Sequence, residues 1–224
     1  MISKCMEILL NDELLYIFMH MHLLIACMIL LAIFPKSIEE QAGWKLKRDK
    51  NGISIYVREQ DDSPLKEYKA RAVISHPIQE VFAFLLDIKR HPEWVVRCTG
   101  ITIIENQVEH KITYHTAYDM PWPVKDRDLT VESVYTRYAG GKKIESLTQY
   151  VQMEFPLQED VIRMHRYREW VILEEIDSLN TLFVAEGFVD PGGKVPPWLV
   201  NMFLVDGIYD SVVKTRELLL DQKR

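Results

Sequence analysis

The chain has 224 residues, with 27 lysine and arginine against 33 aspartate and glutamate residues, a net charge of −6 and 48% hydrophobic residues. One domain takes about 100–200 residues, so this length fits one domain with an appendage. The hydrophobic fraction excludes a disordered chain, and the 3 cysteines exclude a disulfide scaffold. The acidic balance excludes nucleic acid as a partner, because phosphate binding needs a dense basic face.

The N-terminus carries the appendage. Residues 14–34 contain no Asp, Glu, Lys or Arg, and about 20 apolar residues suffice for a helix to cross a bilayer. Residues 1–37 are therefore predicted to be a signal peptide or a membrane anchor, and residues 38–224 a folded domain. Both forms stay open. No small-residue cleavage site follows the run, which favours an anchor, whereas translation from Met19 or Met21 would leave an apolar segment of ordinary signal-peptide length, which favours a signal peptide. We expect an exported body, either periplasmic or anchored to the inner membrane of a bacterial cell.

Alternating β-branched and aromatic residues predict a series of strands that one helix interrupts. The helix begins at Ile78, where apolar residues take helical spacing, and is expected to end near His91 because Pro92 follows. The strands are expected over residues 53–57, 68–74, 101–105, 108–118, 129–138, 144–155, 161–174 and 181–189. No helical segment of crossover length separates the later strands, which predicts a curved antiparallel sheet with meander connections.

The last element, residues 196–221, is predicted to be a long helix that begins at a Pro-Pro pair. At about 100° per residue, one face of this helix gathers apolar side chains within about 60° of Trp198. That face comprises Trp198, Met202, Val205, Tyr209, Val212 and Val213. We expect it to lie on the sheet.

No nucleotide-binding, nucleophile-elbow or common zinc motif occurs in the chain, so no catalytic site, metal or cofactor is predicted. His110 and His115 share one predicted strand, but their odd separation places them on opposite faces, which prevents them from holding one metal ion. The arginine-rich stretch around His165 is expected to form a solvated strand face. Cys98 is expected to be a small buried residue rather than a nucleophile.

Two motifs carry a family resemblance. Residues 190–201, DPGGKVPPWLVN, are similar to the segment that leads into the last helix of the StAR-related lipid-transfer (START) domain. Residues 121–128, PWPVKDRD, are similar to a loop of the same family, and Trp44 and Trp94 fit in the order that the family has. From about residue 44 to residue 220 the chain therefore resembles a START domain, within the helix-grip superfamily.

The resemblance implies an α+β helix-grip fold, in which a curved antiparallel sheet wraps around the long C-terminal helix. It also implies a monomer whose tunnel, under that helix, holds a single lipid or other hydrophobic ligand for transfer and without covalent chemistry. Trp122 is expected to touch a membrane surface, and Arg127 and Asp128 are expected to brace its loop. The lipid-binding residues implied are Trp94, Tyr114, Trp122, Trp198, Met202, Val205, Tyr209 and Val212.

The sequence departs from the family where ligand specificity is read. Phosphatidylcholine-binding relatives place an arginine and an aspartate around the equivalent of Trp94, but His91 and Val95 stand there, and Ser133 stands where sterol-binding relatives place an arginine. The ligand therefore stays open between a phospholipid, a sterol and another hydrophobic molecule. Two other functions also stay open: a cyclase-like or hydrolase-like enzyme of the same superfamily, and a membrane-tethered interaction module with a filled core.

Overall fold

Ten strands form one curved sheet in the computed structural model, which describes residues 42–107 and 110–221. The strands are β1 (Lys45–Lys50), β2 (Ile53–Gln60), β3 (Ser63–Ile74), β4 (Cys98–Gln107), β5 (Lys111–Tyr118), β6 (Asp126–Tyr138), β7 (Lys143–Tyr150), β8 (Val161–Arg163), β9 (Arg166–Asp177) and β10 (Asn180–Asp190). Their order is β1-β2-β3-β10-β9-β7-β6-β5-β4 with antiparallel neighbours, and β8 pairs with β6 in parallel. Strands β1 and β4 are therefore the two edges of the sheet.

Three α-helices occur within the described residues: α1 (Ile78–Leu86), α2 (His91–Trp94) and α3 (Pro197–Asp221). Helices α1 and α2 connect β3 to β4, which lie in different halves of the sheet. Helix α3 packs on β2, β3 and α2, while α1 packs on β9 and β10. Side chains of α1 and α3 join the same cluster of buried residues, so both helices cover one face of the sheet, termed the inner face.

This architecture confirms the predicted helix-grip fold, and α3 begins within one residue of its predicted position. The predicted end of the first helix is wrong. Helix α1 ends at Leu86, because Asp87 leaves helical backbone angles with a ψ of 74°. Pro92 lies in the first turn of α2, where a missing N–H costs no hydrogen bond.

The strands differ from their predictions in three places. Strand β1 is not predicted, since its sequence KLKRDK is mostly charged and exposed at the edge of the sheet. The predicted strand 144–155 ends at Tyr150, and the predicted strand 161–174 is divided by Met164 and His165 into β8 and β9. The predicted meander is confirmed for β4, β5, β6, β7, β9 and β10, whereas the short β8 leaves it by pairing in parallel with β6.

The predicted membrane-spanning run, residues 14–34, and the predicted domain boundary at residue 37 lie outside the described residues. A compact unit of the chain begins at Gly43. In the part of the chain that the structure describes, no helix is both long enough and apolar enough to cross a bilayer.

The buried apolar side chains form two separate clusters. The larger cluster joins α1 and α3 to β2, β3 and β10, and the smaller one surrounds Tyr114, Leu129 and Val131 on β5 and β6. Val189, which is only partly buried, adjoins both clusters. The buried apolar side chains therefore occupy two regions along the inner face, a larger one and a smaller one.

Candidate functional site

A row of polar side chains crosses the inner face. Strand pairing sets the following residues side by side on neighbouring strands: Tyr68 on β3, Gly187 on β10, Glu169 on β9, Thr148 on β7 and Ser133 on β6. Directly paired residues lie on the same face of a sheet, so these five form one line across five strands. We refer to this line as the transverse row.

The Glu169 carboxylate lies at the centre of the transverse row. Tyr68 Oη donates to Glu169 Oε1 at 2.5 Å, and Tyr167 Oη donates to Glu169 Oε2 at 3.2 Å. Next to them, Thr148 Oγ1 donates to Ser133 Oγ at 3.0 Å. Both halves of the row are thus held by hydrogen bonds between side chains.

Gly187 lets Tyr68 reach Glu169 across the intervening strand β10. A Cβ atom at this position would lie 2.6 Å from Tyr68 Oη and 2.7 Å from two of its ring carbons, which is closer than side-chain atoms pack. The phenol therefore occupies the space that a side chain at position 187 would take. A glycine here is a requirement of the site.

Burial dominates the electrostatics of this group. Burial raises the pKa of Glu169, and the hydrogen bonds from Tyr68 and Tyr167 oppose that rise. Burial and the nearby Glu169 charge raise the pKa of Tyr68 and Tyr167 well above the ordinary value, so both phenols stay protonated and act as donors. Within the described residues, no basic side chain bonds to the Glu169 carboxylate.

Several side chains of the inner face are deep in the protein and yet keep solvent-accessible surface. Tyr118, Tyr167 and Glu169 are enclosed by protein atoms, but each of them is only partly buried by surface area. Ile208 on α3 is also only partly buried, and it packs against the larger cluster. Depth and accessible surface therefore coincide around the centre of the transverse row.

The buried face of α3 is rotated from the face that the sequence predicts. Tyr209 and Val212 are buried as predicted, and Val205 is partly buried, but Trp198 and Met202 are 67% and 48% exposed. The remaining buried residues of this helix are Leu204, Thr215 and Leu219. The buried set centres about 60° around the helix from Trp198. The predicted arc is displaced because it is centred on a tryptophan of the exposed first turn.

Trp198, Met202 and Val205 instead line an open groove of about 470 Å3 on the surface. Its other walls are Lys47, Val57, Lys66, Asn201 and Asp206. Three of the predicted lipid-binding residues thus meet at a groove that is open to solvent, and their contact with lipid stays a prediction.

Trp94 and Tyr114 come together through His91. The ring centroid of His91 lies 4.9 Å from that of Trp94 and 5.9 Å from that of Tyr114. Burial lowers the pKa of His91 to about 4, so this ring is neutral at pH 7. The buried Trp94 Nε1 has no hydrogen-bond partner among the described residues. These predicted residues form an uncharged aromatic group with one unused donor.

Trp122 lies in the β5–β6 loop, where it is 92% exposed. Arg127, at the base of this loop, is only 2% exposed. It donates to the backbone carbonyls of Lys125, Pro191 at 3.1 Å and Gly192 at 3.3 Å. Arg127 thereby ties the β5–β6 loop to the loop before α3, which confirms its predicted role as a brace.

Three exposed apolar side chains lie in the β5–β6 loop, in the loop before β8 and in the first turn of α3. Trp122, Leu157 and Trp198 are 92%, 78% and 67% exposed. A 2.7 Å salt bridge between Lys125 and Asp160 joins the β5–β6 loop to the loop before β8. We refer to the end of the molecule that carries these three side chains as the apolar end.

His115 and Asp128 lie on the opposite, outer face, where the 151–160 loop covers them. His115 Nε2 lies 3.0 Å from Asp128 Oδ2, and Arg163 donates to the two carboxylate oxygens at 2.6 and 2.9 Å. Burial alone would raise the pKa of Asp128, but the hydrogen bonds from Arg163 and His115 lower it below the ordinary value. Phe155 stacks on His115 at 3.7 Å. The group braces that loop. The prediction of a solvated arginine-rich stretch is therefore wrong at Arg163, whereas His165, Arg166 and Arg168 are exposed as predicted.

Sequence reasoning missed Glu169. Alternation along β9 places Tyr167, Val171 and Leu173 on its face, so the sequence contains one acid within an otherwise apolar or aromatic stripe. Arginines on both sides of Tyr167 hide this signal and make the whole stretch resemble a solvated strand. Cys98, by contrast, is buried and free as predicted, and burial raises the pKa of its thiol.

Comparison with known proteins identifies related sequences. A model of the START domain family matches residues 32–223. An uncharacterised protein of Pseudomonas aeruginosa is 27% identical over 164 residues, which cover 73% of this chain and 80% of that protein. The phosphatidylcholine transfer protein of Rattus norvegicus is 25% identical over 175 residues, which cover 75% of this chain and 79% of that protein.

Solved structures have the same fold. A StAR-related lipid transfer protein fragment from Xanthomonas axonopodis superposes with a TM-score of 0.72 at 25% identity, covering 79% of this chain and 98% of that one. Human StAR-related lipid transfer protein 5 superposes with a TM-score of 0.73 at 19% identity, covering 92% of this chain and 97% of that one. The curved sheet with a long C-terminal helix is therefore common to all three chains.

Proposed function

The chain belongs to the START domain family, and from this membership we propose that it binds one lipid, or another hydrophobic molecule of similar size, between α3 and the inner face of the sheet. The molecule is carried between membranes and is not chemically changed. Proteins similar to this chain in sequence and in structure are lipid transfer proteins, which supports carriage rather than catalysis.

The accessible surface of deep side chains on the inner face is the observation that carries this proposal. Tyr118, Tyr167 and Glu169 lie deep in the protein and keep accessible surface. Protein interiors are close-packed, so accessible surface at that depth requires space that side chains do not fill. A module with a filled core would leave no accessible surface at that depth. The partly buried Tyr167 and Glu169 therefore favour a ligand site over such a module.

Apolar burial supplies the affinity of the proposed site. The two apolar clusters would flank the proposed ligand space, and burial of lipid surface there is worth about 25 cal/mol per Å2. The buried His115–Asp128 pair, which has the residue types of a catalytic dyad, lies on the outer face of the sheet. Its position favours a carrier over a cyclase-like enzyme.

We propose that the apolar end is where the ligand enters and leaves. Trp122, Leu157 and Trp198 are exposed there, and indole rings favour the interface between water and bilayer. Tyr118, one of the deep and accessible residues, ends β5 immediately before the Trp122 loop. The apolar end therefore adjoins the proposed ligand space.

We also propose that residues 14–34 export the folded body or hold it at the inner membrane. The support is the length of this uncharged run, which suffices to span a bilayer. A reporter fused after Gly43 would be exported from a bacterial cell, and its activity in the cytoplasm alone would reject this localisation.

Substitution of Ile208 by Trp tests the ligand site. Ile208 lies near the middle of the buried face of α3 and keeps accessible surface, so a larger side chain there would fill ligand space. Overpacking typically costs about 1–3 kcal/mol of stability, so the variant is expected to stay folded. Lipid extracted from vesicles of a total bacterial lipid extract is expected to fall strongly, as counted by mass spectrometry.

Leu220→Trp is the matched control, because Leu220 lies on the same helix and is 55% exposed. It is expected to extract as much lipid as the wild-type protein. Equal extraction by folded Ile208→Trp and wild-type proteins would contradict a ligand site beneath α3.

A further inference from the structure

The transverse row contains a feature that the storage of an apolar chain does not require. Glu169 is a buried carboxyl group, and its hydrogen bonds within the described residues come from the two phenols of Tyr68 and Tyr167. A carboxylate has about four acceptor positions. About two of them are left for a bound molecule, and no cation of the described protein satisfies them.

The surroundings of Glu169 are built to hold this carboxylate in place. Tyr68 crosses β10 over Gly187, where a Cβ atom would lie 2.6 Å from its hydroxyl, and so reaches Glu169 from two strands away. On the other side, Thr148 is paired with Glu169 in the sheet and keeps its hydroxyl bonded to Ser133. The carboxylate is thus oriented before any ligand arrives.

We propose that Glu169, positioned by Tyr68 and Tyr167, binds the polar end of the carried lipid by accepting hydrogen bonds from it. The preferred lipid then has a hydroxyl group or a primary ammonium group at its polar end. This inference rests on the proposed function, since it specifies the class of lipid that the site takes.

The chemistry of the row discriminates between lipid classes. Phosphate and ester oxygens only accept hydrogen bonds, so they would meet the Glu169 carboxylate without a donor between them. A quaternary ammonium group has no N–H to donate. A diacylglycerol hydroxyl and a phosphatidylethanolamine ammonium group both provide donors, and the ammonium group also neutralises the buried charge.

The test is a competition between three lipids for the full chain. The protein is incubated with vesicles that contain equal amounts of fluorescent diacylglycerol, phosphatidylethanolamine and phosphatidylcholine, is recaptured, and its bound lipids are counted per protein molecule. Lipid recovered from the same vesicles carried through the procedure without protein is subtracted as background. We expect about tenfold more of one donor lipid than of phosphatidylcholine, the size of effect that a hydrogen bond to a charged group has. The donor lipid that is enriched identifies a hydroxyl or an ammonium group as the recognised group.

Glu169→Gln keeps the shape of the side chain and removes its charge, so it is expected to fold and to lose most of this preference while retaining phosphatidylcholine as before. Glu174→Gln is the matched control, because Glu174 lies on the same strand, on the outer face, near Lys143. It is expected to bind lipid as the wild-type protein does. Circular dichroism of each variant verifies its fold.

Tyr68→Phe gives a second reading, since it keeps the ring and removes one donor that orients Glu169. We expect it to reduce the preference in the same direction. A wild-type protein that takes up all three lipids equally, or folded Glu169→Gln and Tyr68→Phe variants that keep the preference, would overturn this inference and leave lipid carriage in place. Uptake of no lipid by the wild-type protein would overturn both.

Discussion

At the scale of single residues, burial sets the charge of ionisable side chains that face the interior. His91 donates from Nε2 to the Leu85 carbonyl at 3.3 Å and packs against the rings of Trp94 and Tyr114. Burial lowers its pKa to about 4, although the Leu85 carbonyl and the charge of Asp87 oppose the shift. The aromatic group around His91 is therefore neutral at pH 7 and resists protonation in weak acid.

This lowered pKa predicts a pH-dependent stability. The unfolded His91 side chain has the ordinary pKa of 6.5, but the folded side chain has a pKa of about 4, so the free energy of unfolding falls as the pH decreases between these values. The loss is at most about 3 kcal/mol. Urea unfolding of wild-type and His91→Gln proteins at pH 7 and pH 4.5 measures it. The variant is expected to lose less stability in acid, and equal losses would contradict the burial of a neutral His91.

Alternation along β9 is visible in the sequence, but the face that turns inward is not. Trp170 has the hydrophobicity of a core residue, yet it lies on the outer face and is 40% exposed, while its neighbour Glu169 faces inward. The inner face is the one that α1 and α3 cover, and both helices are distant from β9 in sequence. The strand could therefore be predicted from local residues, whereas the site that it contributes depends on contacts that local patterns do not report.

At the scale of secondary-structure elements, a close approach between β3 and β10 positions the candidate site. Tyr68 and Gly187 are paired directly, and the phenol passes over the glycine to reach Glu169 on β9. The row therefore depends on a missing side chain in the strand between its two main members. No other residue type leaves that space free.

Gly187→Ala is expected to destabilise the protein by about 1–3 kcal/mol, because its Cβ atom would lie 2.6 Å from Tyr68 Oη and force the phenol away from Glu169. Gly207→Ala is the matched control. No atom lies within 4 Å of a Cβ at this helical position, so it is expected to stabilise α3 by about 0.5–1 kcal/mol. Thermal unfolding of both variants measures the two effects, and a Gly187→Ala protein as stable as wild type would show that Tyr68 does not need this space.

Helix α3 illustrates which property of an element is local. Its length follows from residues within it, and the prediction of residues 196–221 is confirmed to within one residue. Its rotation follows from partners far away in the chain: Arg48 pairs with Asp206 at 2.6 Å, and Arg216 donates to the Asn51 carbonyl at 2.7 Å. These contacts with the β1–β2 hairpin turn Trp198 outward, and β1 itself is not predicted because its residues are mostly charged.

At the scale of the whole molecule, the proposed ligand space and the proposed membrane contact lie at the same end. Arg127 joins the β5–β6 loop, which carries Trp122, to the loop before α3. Lys125 joins the same β5–β6 loop to the loop before β8. Each of these regions exposes one apolar side chain: Trp122 in the β5–β6 loop, Leu157 in the loop before β8 and Trp198 in the first turn of α3. In the proposed function, this set of loops contacts a bilayer while the sheet behind them retains the lipid.

Trp122→Ala tests this arrangement in the last prediction. Trp122 is 92% exposed, so its removal is expected to leave the stability of the protein unchanged. Binding to vesicles, measured by co-sedimentation, is expected to weaken roughly tenfold, because an interfacial tryptophan contributes about 1–2 kcal/mol. The rate of lipid transfer between vesicles is expected to fall with it, while the amount of lipid held per protein at equilibrium stays the same. Trp170→Ala is the matched control, since this tryptophan is 40% exposed in the outer face of the sheet and away from the loops. Transfer rates that fall equally in the two variants would contradict entry of the ligand through the apolar end.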